Sequence, residues 1–425
     1  MEISHIVARQ ILDSRGNPTI EADVWLTTGV FGRASVPSGA STGAHEAHEL
    51  RDSDMTAFGG KGVSRAIQNI HERILPAIKG KPADDQASID QLMIELDGSE
   101  NKGNLGANAI LAVSLATAHA AAKARGVLLY THINDLAGNP QKSLPLPMFN
   151  ILNGGIHAHG STDIQESMVV PVGAQNYKHA IQMGTEVFHA LKKVLEEKNY
   201  TTTVGDEGGF APHLVEGNKE GLQLLVQAIT AAGYIPGKDL ALALDIASSE
   251  LFQNSMYNFV SESNSRSMDQ MVKWYGELSQ EFPIVSIEDG LQQDDWTGWQ
   301  LLTSTYGQTL QLVGDDLLVT SPKRLRYAID LKAANAILIK PNQIGTLTET
   351  IEAVKVAKEA GWRTIISHRS GETEDTTIAH IAVGLGAEQI KTGSLSRSER
   401  TAKHNELLRI EEIDKTLLLA HPLTF

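Results

Sequence analysis

Six apolar runs in the second half of the chain each end on a residue that could do chemistry. Leu242-Ala243-Leu244 leads into Asp245, Val285-Ser286-Ile287 into Glu288-Asp289, and Leu312-Val313-Gly314 into Asp315-Asp316. Ile337-Leu338-Ile339 leads into Lys340, Ile365-Ile366-Ser367 into His368-Arg369, and Gln389-Ile390 into Lys391. A single aspartate in such a place is more often a helix cap or a turn residue, and a single lysine more often a snorkelling surface group. Three acidic ends followed by three basic ones, on successive runs, make a functional cluster the better reading. Three carboxylates form a hard, oxygen-rich donor set, suited to Mg²⁺ rather than to a soft metal. A lysine acting as a base needs positive neighbours to depress its pKa from about 10.4. Lys391, Arg369 and a bound Mg²⁺ could do this for Lys340. Asp289 and Asp316, one residue further on, read as turn or supporting residues.

Two Gly-rich loops add candidates. Ser38-Gly39-Ala40-Ser41-Thr42-Gly43 is either a linker or a lid that closes on a ligand and supplies oxygens. Gly205-Asp206-Glu207-Gly208-Gly209 sets one glutamate among glycines, so that its carboxylate can approach a substrate closely. His45-Glu46-Ala47-His48 is one residue short of the zinc-protease spacing, and His157-Ala158-His159 reads first as loop surface.

The elements that must position these residues follow from periodicity. Ile20, Ala22, Val24 and Leu26 alternate as in a half-buried strand, flanked by runs at 3–11 and 30–36, which predicts an antiparallel meander. Helical patterns follow at 63–78, 84–96 and 107–125. A Pro- and Gly-rich break after Leu136 divides the chain into an N-terminal α+β domain, 1–136, and a second domain, 137–425. There, strand candidates at 148–152 and 167–172 come without a helix between them, and helices at 177–197 and 219–232 follow. Six strand–helix units then begin at Leu240, Ile284, Leu310, Ala336, Thr364 and Glu388. Two strands plus six predict an α/β fold, an eight-stranded barrel with an irregular ββαα(βα)₆ order, and its strand ends would share one face. A doubly wound open sheet is the alternative.

Composition narrows the class. The chain has 425 residues, a net charge of −15 and no cysteine. That balance repels phosphate backbones and anionic lipids, so neither nucleic-acid nor membrane binding is expected. Disulfides, thiolate nucleophiles and iron–sulfur clusters are excluded. No nucleotide-binding Gly motif follows a strand. The N-terminus shows no signal-peptide pattern, so a cytoplasmic location is expected. The most apolar helical stretch, 109–122, is too short to span a bilayer.

Removing a proton beside a carboxylate gives an enediolate, whose extra charge calls for nearby cations. A lysine or histidine base with one or two Mg²⁺ ions is the solution of enolase-type sites. The chain closely resembles the enolase family over nearly its whole length. Ser367-His368-Arg369-Ser370-Gly371-Glu372-Thr373 and Lys391-Thr392-Gly393-Ser394 carry that resemblance most specifically, with Asn153-Gly154-Gly155 and the two Gly-rich loops. It implies a lyase of glycolysis and gluconeogenesis that reversibly dehydrates 2-phospho-D-glycerate to phosphoenolpyruvate through a Mg²⁺-stabilised enediolate, with two Mg²⁺ per site. By position, Lys340 resembles the base and Glu207 the acid, with Glu166 beside it. Asp245, Glu288 and Asp315 resemble the ligands of the first Mg²⁺, and Ser41 a ligand of the second. Arg369 and Ser370 resemble the phosphate ligands and Lys391 the carboxylate ligand, while His157 and Gln165 would line the site. The resemblance also implies a homodimer, or sometimes an octamer, and surface or secreted pools beside the cytoplasmic one. The sequence departs from the usual pattern at Ile156, His159, Gly160, Ser167, Pro341 and His380. Pro341 removes a backbone N–H beside the base, and Ser167 would leave room in the core.

Overall fold

The N-terminal meander forms as its alternation predicts. β1 (Ile3–Leu12), β2 (Pro18–Leu26) and β3 (Phe31–Ser35) pair antiparallel in that order, and Ile20, Ala22, Val24 and Leu26 are buried. This is a computed structural model, and it describes residues 1–40, 42–158 and 160–423. The Ala-rich helix Ala107–Arg125 covers the sheet. At Gly32 the two backbones touch: a Cβ there would lie 2.1 Å from the Ala120 nitrogen and 2.2 Å from the Ala116 oxygen. Small residues on both sides permit that approach, and Ala109–Ala118 are buried throughout. The most apolar stretch of the chain is thus a core helix. No helix among the described residues is long and apolar enough to cross a membrane.

The expected helix at 63–78 is continuous but contains a π-helical turn, Ile70–Ile74, between Ser64–Asn69 and Leu75–Ile78. The helix Leu129–Leu136 was not anticipated.

The second part closes into a barrel, so the open-sheet alternative falls. Its strands are β4 (Leu146–Asn153), β5 (Glu166–Val170), β6 (Ala241–Asp245), β10 (Ile284–Glu288), β11 (Gln311–Gly314), β12 (Ala336–Ile339), β13 (Arg363–Ser367) and β14 (Gln389–Lys391). Between β6 and β10 lies an unforeseen three-stranded antiparallel sheet, β7 (Phe252–Gln253), β8 (Met256–Phe259) and β9 (Asn264–Arg266). Around the barrel the order is β10-β11-β12-β13-β14-β4-β5-β6. All neighbours are parallel except β5, which runs antiparallel to both β4 and β6. The cause is topological: among the described residues only a single 3-10 turn, Gly155–His157, lies between β4 and β5, so the chain turns back directly, whereas a parallel return needs a crossover. Two helices, Tyr177–Glu197 and Asn218–Ala231, then carry the chain to β6. The inversion places the first residue of β5, Glu166, beside the last residues of β4 and β6, Asn153 and Asp245.

Three of the departures from the usual pattern, Pro341, Ser167 and His380, are absorbed locally. Pro341 opens the one-turn helix Pro341–Ile344, whose first N–H has no helical partner in any case. Ser167 is buried with Leu152 and Leu244 as its strand partners. His380 lies 3.2 Å from Glu406 and stacks on Tyr130.

Candidate active site

The strand ends converge on a cavity at the C-terminal face of the barrel. His157, Gln165, Glu166, Glu207, Asp245, Asp315, Lys340, Arg369, Ser370 and Lys391 all line it. Glu288 lies just beneath, fully buried, with Oε1 2.7 Å from Lys391 Nζ. Ser41 and His159 lie outside the described residues.

Lys391 is the centre of the charge arrangement. Its ammonium also lies 3.1 Å from Asp245 Oδ2 and 3.2 Å from Glu166 Oε1. Burial opposes its charge, but Asp245, Glu166 and Glu288 outweigh burial and raise its pKa well above the usual lysine value. Burial and the neighbouring Asp245 raise Glu288 well above the carboxylate range. Asp315 is paired with the second lysine: Lys340 Nζ donates to Oδ2 at 2.5 Å and Gln343 Nε2 donates to Oδ1 at 2.9 Å. The expected depression of the Lys340 pKa is not found here. Burial, Arg369 and Lys391 all lower it, yet Asp315 in direct contact leaves it raised.

Two trios of ionisable side chains bring one ligand atom each within 4.8 Å, His157–Glu166–Glu207 and Asp289–Asp315–Asp316. Neither is the set Asp245, Glu288 and Asp315, whose members are engaged by the two lysines instead. Asp289 has the supporting role expected of it, accepting the N–H groups of Asp315 and Asp316 at 2.8 and 2.9 Å. Burial and the Asp315 charge push Asp316 up to about 7. The donor chemistry fits a hard cation: the oxygens are carboxylate, and Glu288 Oε2 and Glu166 Oε2 are buried without a hydrogen-bond partner among the described residues.

On the other side of the mouth the loop 205–209 presents Glu207. Its glycines are required: a Cβ at Gly208 (φ +84°) would meet the Ser396 oxygen at 2.5 Å. Asn150 Nδ2 donates to Glu207 Oε2 at 2.9 Å, and His368 Nε2 lies 3.3 Å from the same oxygen. Buried Arg400 donates to His368 Nδ1 and to the carbonyls of Arg369 and Ser370. That contact leaves Nε2 of His368 as the protonated nitrogen, turned toward Glu207. Burial pushes the His368 pKa down to about 3, so the ring is neutral. Burial also opposes the charge on Glu207, but His368, His157 and Arg400 together hold its pKa well below the usual range. Burial and the Glu207 charge raise Glu166 well above it. His157 Nδ1, 3.8 Å from Glu166 and 3.7 Å from Glu207, belongs to a ring that burial keeps neutral.

Asn150, Glu46, Gln343 and Arg400 did not stand out in the sequence. Asn150 is polar within an otherwise apolar strand, which is a usable signal; the other three depend on contacts remote in sequence.

An eight-stranded barrel with acids and lysines around one mouth, beside an α+β domain, defines a class: a TIM-barrel protein with a charged cavity at the C-terminal face of its strands. Two family models match the chain, "Enolase, N-terminal domain" over residues 3–133 and "Enolase, C-terminal TIM barrel domain" over residues 141–417. The chain belongs to the enolase family, and with it to the enolase-type lyases.

Proposed function

We propose that the protein reversibly dehydrates 2-phospho-D-glycerate to phosphoenolpyruvate with two Mg²⁺ ions per site. The supporting observation is a placement. β12, which Lys340 directly follows, and β5, which starts at Glu166, are four positions apart in a ring of eight strands. The base and the Glu166–Glu207 pair thus face each other across the cavity, an arrangement suited to removing a proton from one face of a substrate and a hydroxyl from the other.

In this reading Lys340 takes the C2 proton, and the charge that develops on the substrate carboxylate lies near Lys391. The Glu166–Glu207 pair delivers one proton to the C3 hydroxyl, Glu207 acting as the acid with Glu166 beside it, and the hydroxyl leaves as water. Arg369 and Ser370 bind the phosphate, with His157 and Gln165 lining the site. Mg²⁺ held by Asp245, Glu288 and Asp315 would supply positive charge at the substrate carboxylate and engage the aspartate that keeps Lys340 protonated. Residues 1–136 act as the capping domain and 137–425 as the barrel domain. The family resemblance supports a cytoplasmic homodimer.

The test is turnover of 2-phosphoglycerate by the purified full chain with Mg²⁺, followed by the absorbance of phosphoenolpyruvate. Absence of turnover at saturating substrate and metal would refute the reading.

A further inference from the structure

Glu46 follows the Gly-rich loop of the N-terminal domain and meets the barrel at Arg369. The guanidinium is gripped end-on: NH1 donates to Glu46 Oε2 at 2.9 Å and NH2 donates to Oε1 at 3.1 Å. NH1 also donates to Asn342 Oδ1 at 3.1 Å. Glu46 Oε1 accepts the Gly43 N–H at 2.9 Å and Gln343 Nε2 at 3.3 Å. The same Gln343 nitrogen donates to Asp315 Oδ1 at 2.9 Å, and Gln343 Oε1 accepts from Thr320 Oγ1 at 2.8 Å. One carboxylate thus joins the loop, the arginine and, through one amide, Asp315.

Its location decides the role. Arg369 lines both the active-site cavity and an outer cavity floored by residues 42–44 and 46–49, whereas Glu46 lines the outer one and not the active-site cavity. An arginine carries five N–H donors in a planar fork, so a carboxylate gripping its far end fixes the plane that the cavity sees. We propose that Glu46 is a positioning residue, which holds Arg369 from outside so that its guanidinium is oriented for an anionic phosphoryl group in the cavity. This rests on reading Arg369 as the phosphate ligand.

The experiment measures binding of inorganic phosphate to the full chain by calorimetry, alongside kcat and KM for 2-phosphoglycerate, in Glu46→Gln, Glu46→Asp, Arg369→Lys and the Glu46→Gln/Arg369→Lys double variant. Glu46→Gln should weaken phosphate binding and raise KM about tenfold with kcat within about threefold, the mark of lost uniform binding. Glu46→Asp, which keeps the charge, should recover part of that loss. The double variant should bind phosphate no more weakly than Arg369→Lys alone, because lysine has no fork to orient. Additive losses would overturn the proposal, as would a lowered melting temperature with unchanged KM and phosphate affinity. Tighter phosphate binding in Glu46→Gln would overturn it too, making the carboxylate a competitor of the anion. If the wild type binds phosphate but does not turn over 2-phosphoglycerate, the function above fails while the positioning role is still tested. If the wild type does not bind phosphate, the positioning role fails.

Discussion

Glu166 opens its strand and Asp245 closes its own, yet the two are direct partners across β5 and β6. Because β5 is the single inverted strand of the barrel, its beginning lies at the same mouth as the ends of the others. Glu166 shares one cavity with Asp245 and Asp315 for that reason.

The opposed positions of Lys340 and Glu207 separate two proton transfers. Lys340→Ala is expected to abolish both turnover and exchange of the C2 proton with deuterated solvent. Glu207→Gln should stop turnover but leave that exchange measurable by NMR. Each loss should reach about 10²–10⁴-fold, or about 3–5 kcal/mol of barrier. A Lys340→Ala protein that exchanges C2 at the original rate would place the base elsewhere.

Metal dependence follows from the carboxylate set. A chelator should abolish turnover and added Mg²⁺ restore it. Asp315→Asn removes one ligand charge with little change in shape, so Mg²⁺ affinity, read by calorimetry, and turnover should fall together. Full activity in metal-free buffer would refute the assignment of Asp245, Glu288 and Asp315.

Buried neutral histidines make the fold acid-sensitive. Burial lowers His368 and His404 to about 3, and His119 to about 4, from 6.5. Between about 6.5 and those values the unfolded chain binds a proton that the folded one does not. Their favourable contribution is fully present above about 6.5 and is lost progressively as pH falls toward about 3. Replacing His404 with Gln should flatten the dependence of unfolding free energy on pH between 4.5 and 6 by about 1.4 kcal/mol per pH unit, one proton's worth. An unchanged slope in urea titrations would show that His404 is protonated in the folded state.

Gly32 tests the packing of the capping domain. Gly32→Val would drive a side chain into the backbone of the helix Ala107–Arg125. The expected loss is about 3 kcal/mol or more, the upper range for overpacking, measured by chemical denaturation. A loss below about 1 kcal/mol would mean that the helix can lift from the sheet without penalty.

What the sequence by itself determined was local. A buried parallel strand must be apolar to its last turn, so a charge directly after such a run marks the mouth of a barrel, and Asp245, Glu288, Asp315, Lys340, Arg369 and Lys391 were legible for that reason. The meander and the long helices were legible from periods of two and 3.6. The tertiary structure alone decided which charges touch. The inverted β5 set Glu166 against Asp245, and the loop between two helices brought Glu207 to Asn150 and His368. The direct contact with Asp315 reversed the expected sign of the Lys340 shift. Glu46 reaches Arg369 across more than three hundred residues of chain. Such pairings follow from barrel closure and domain docking, and no short-range pattern in the sequence encodes them.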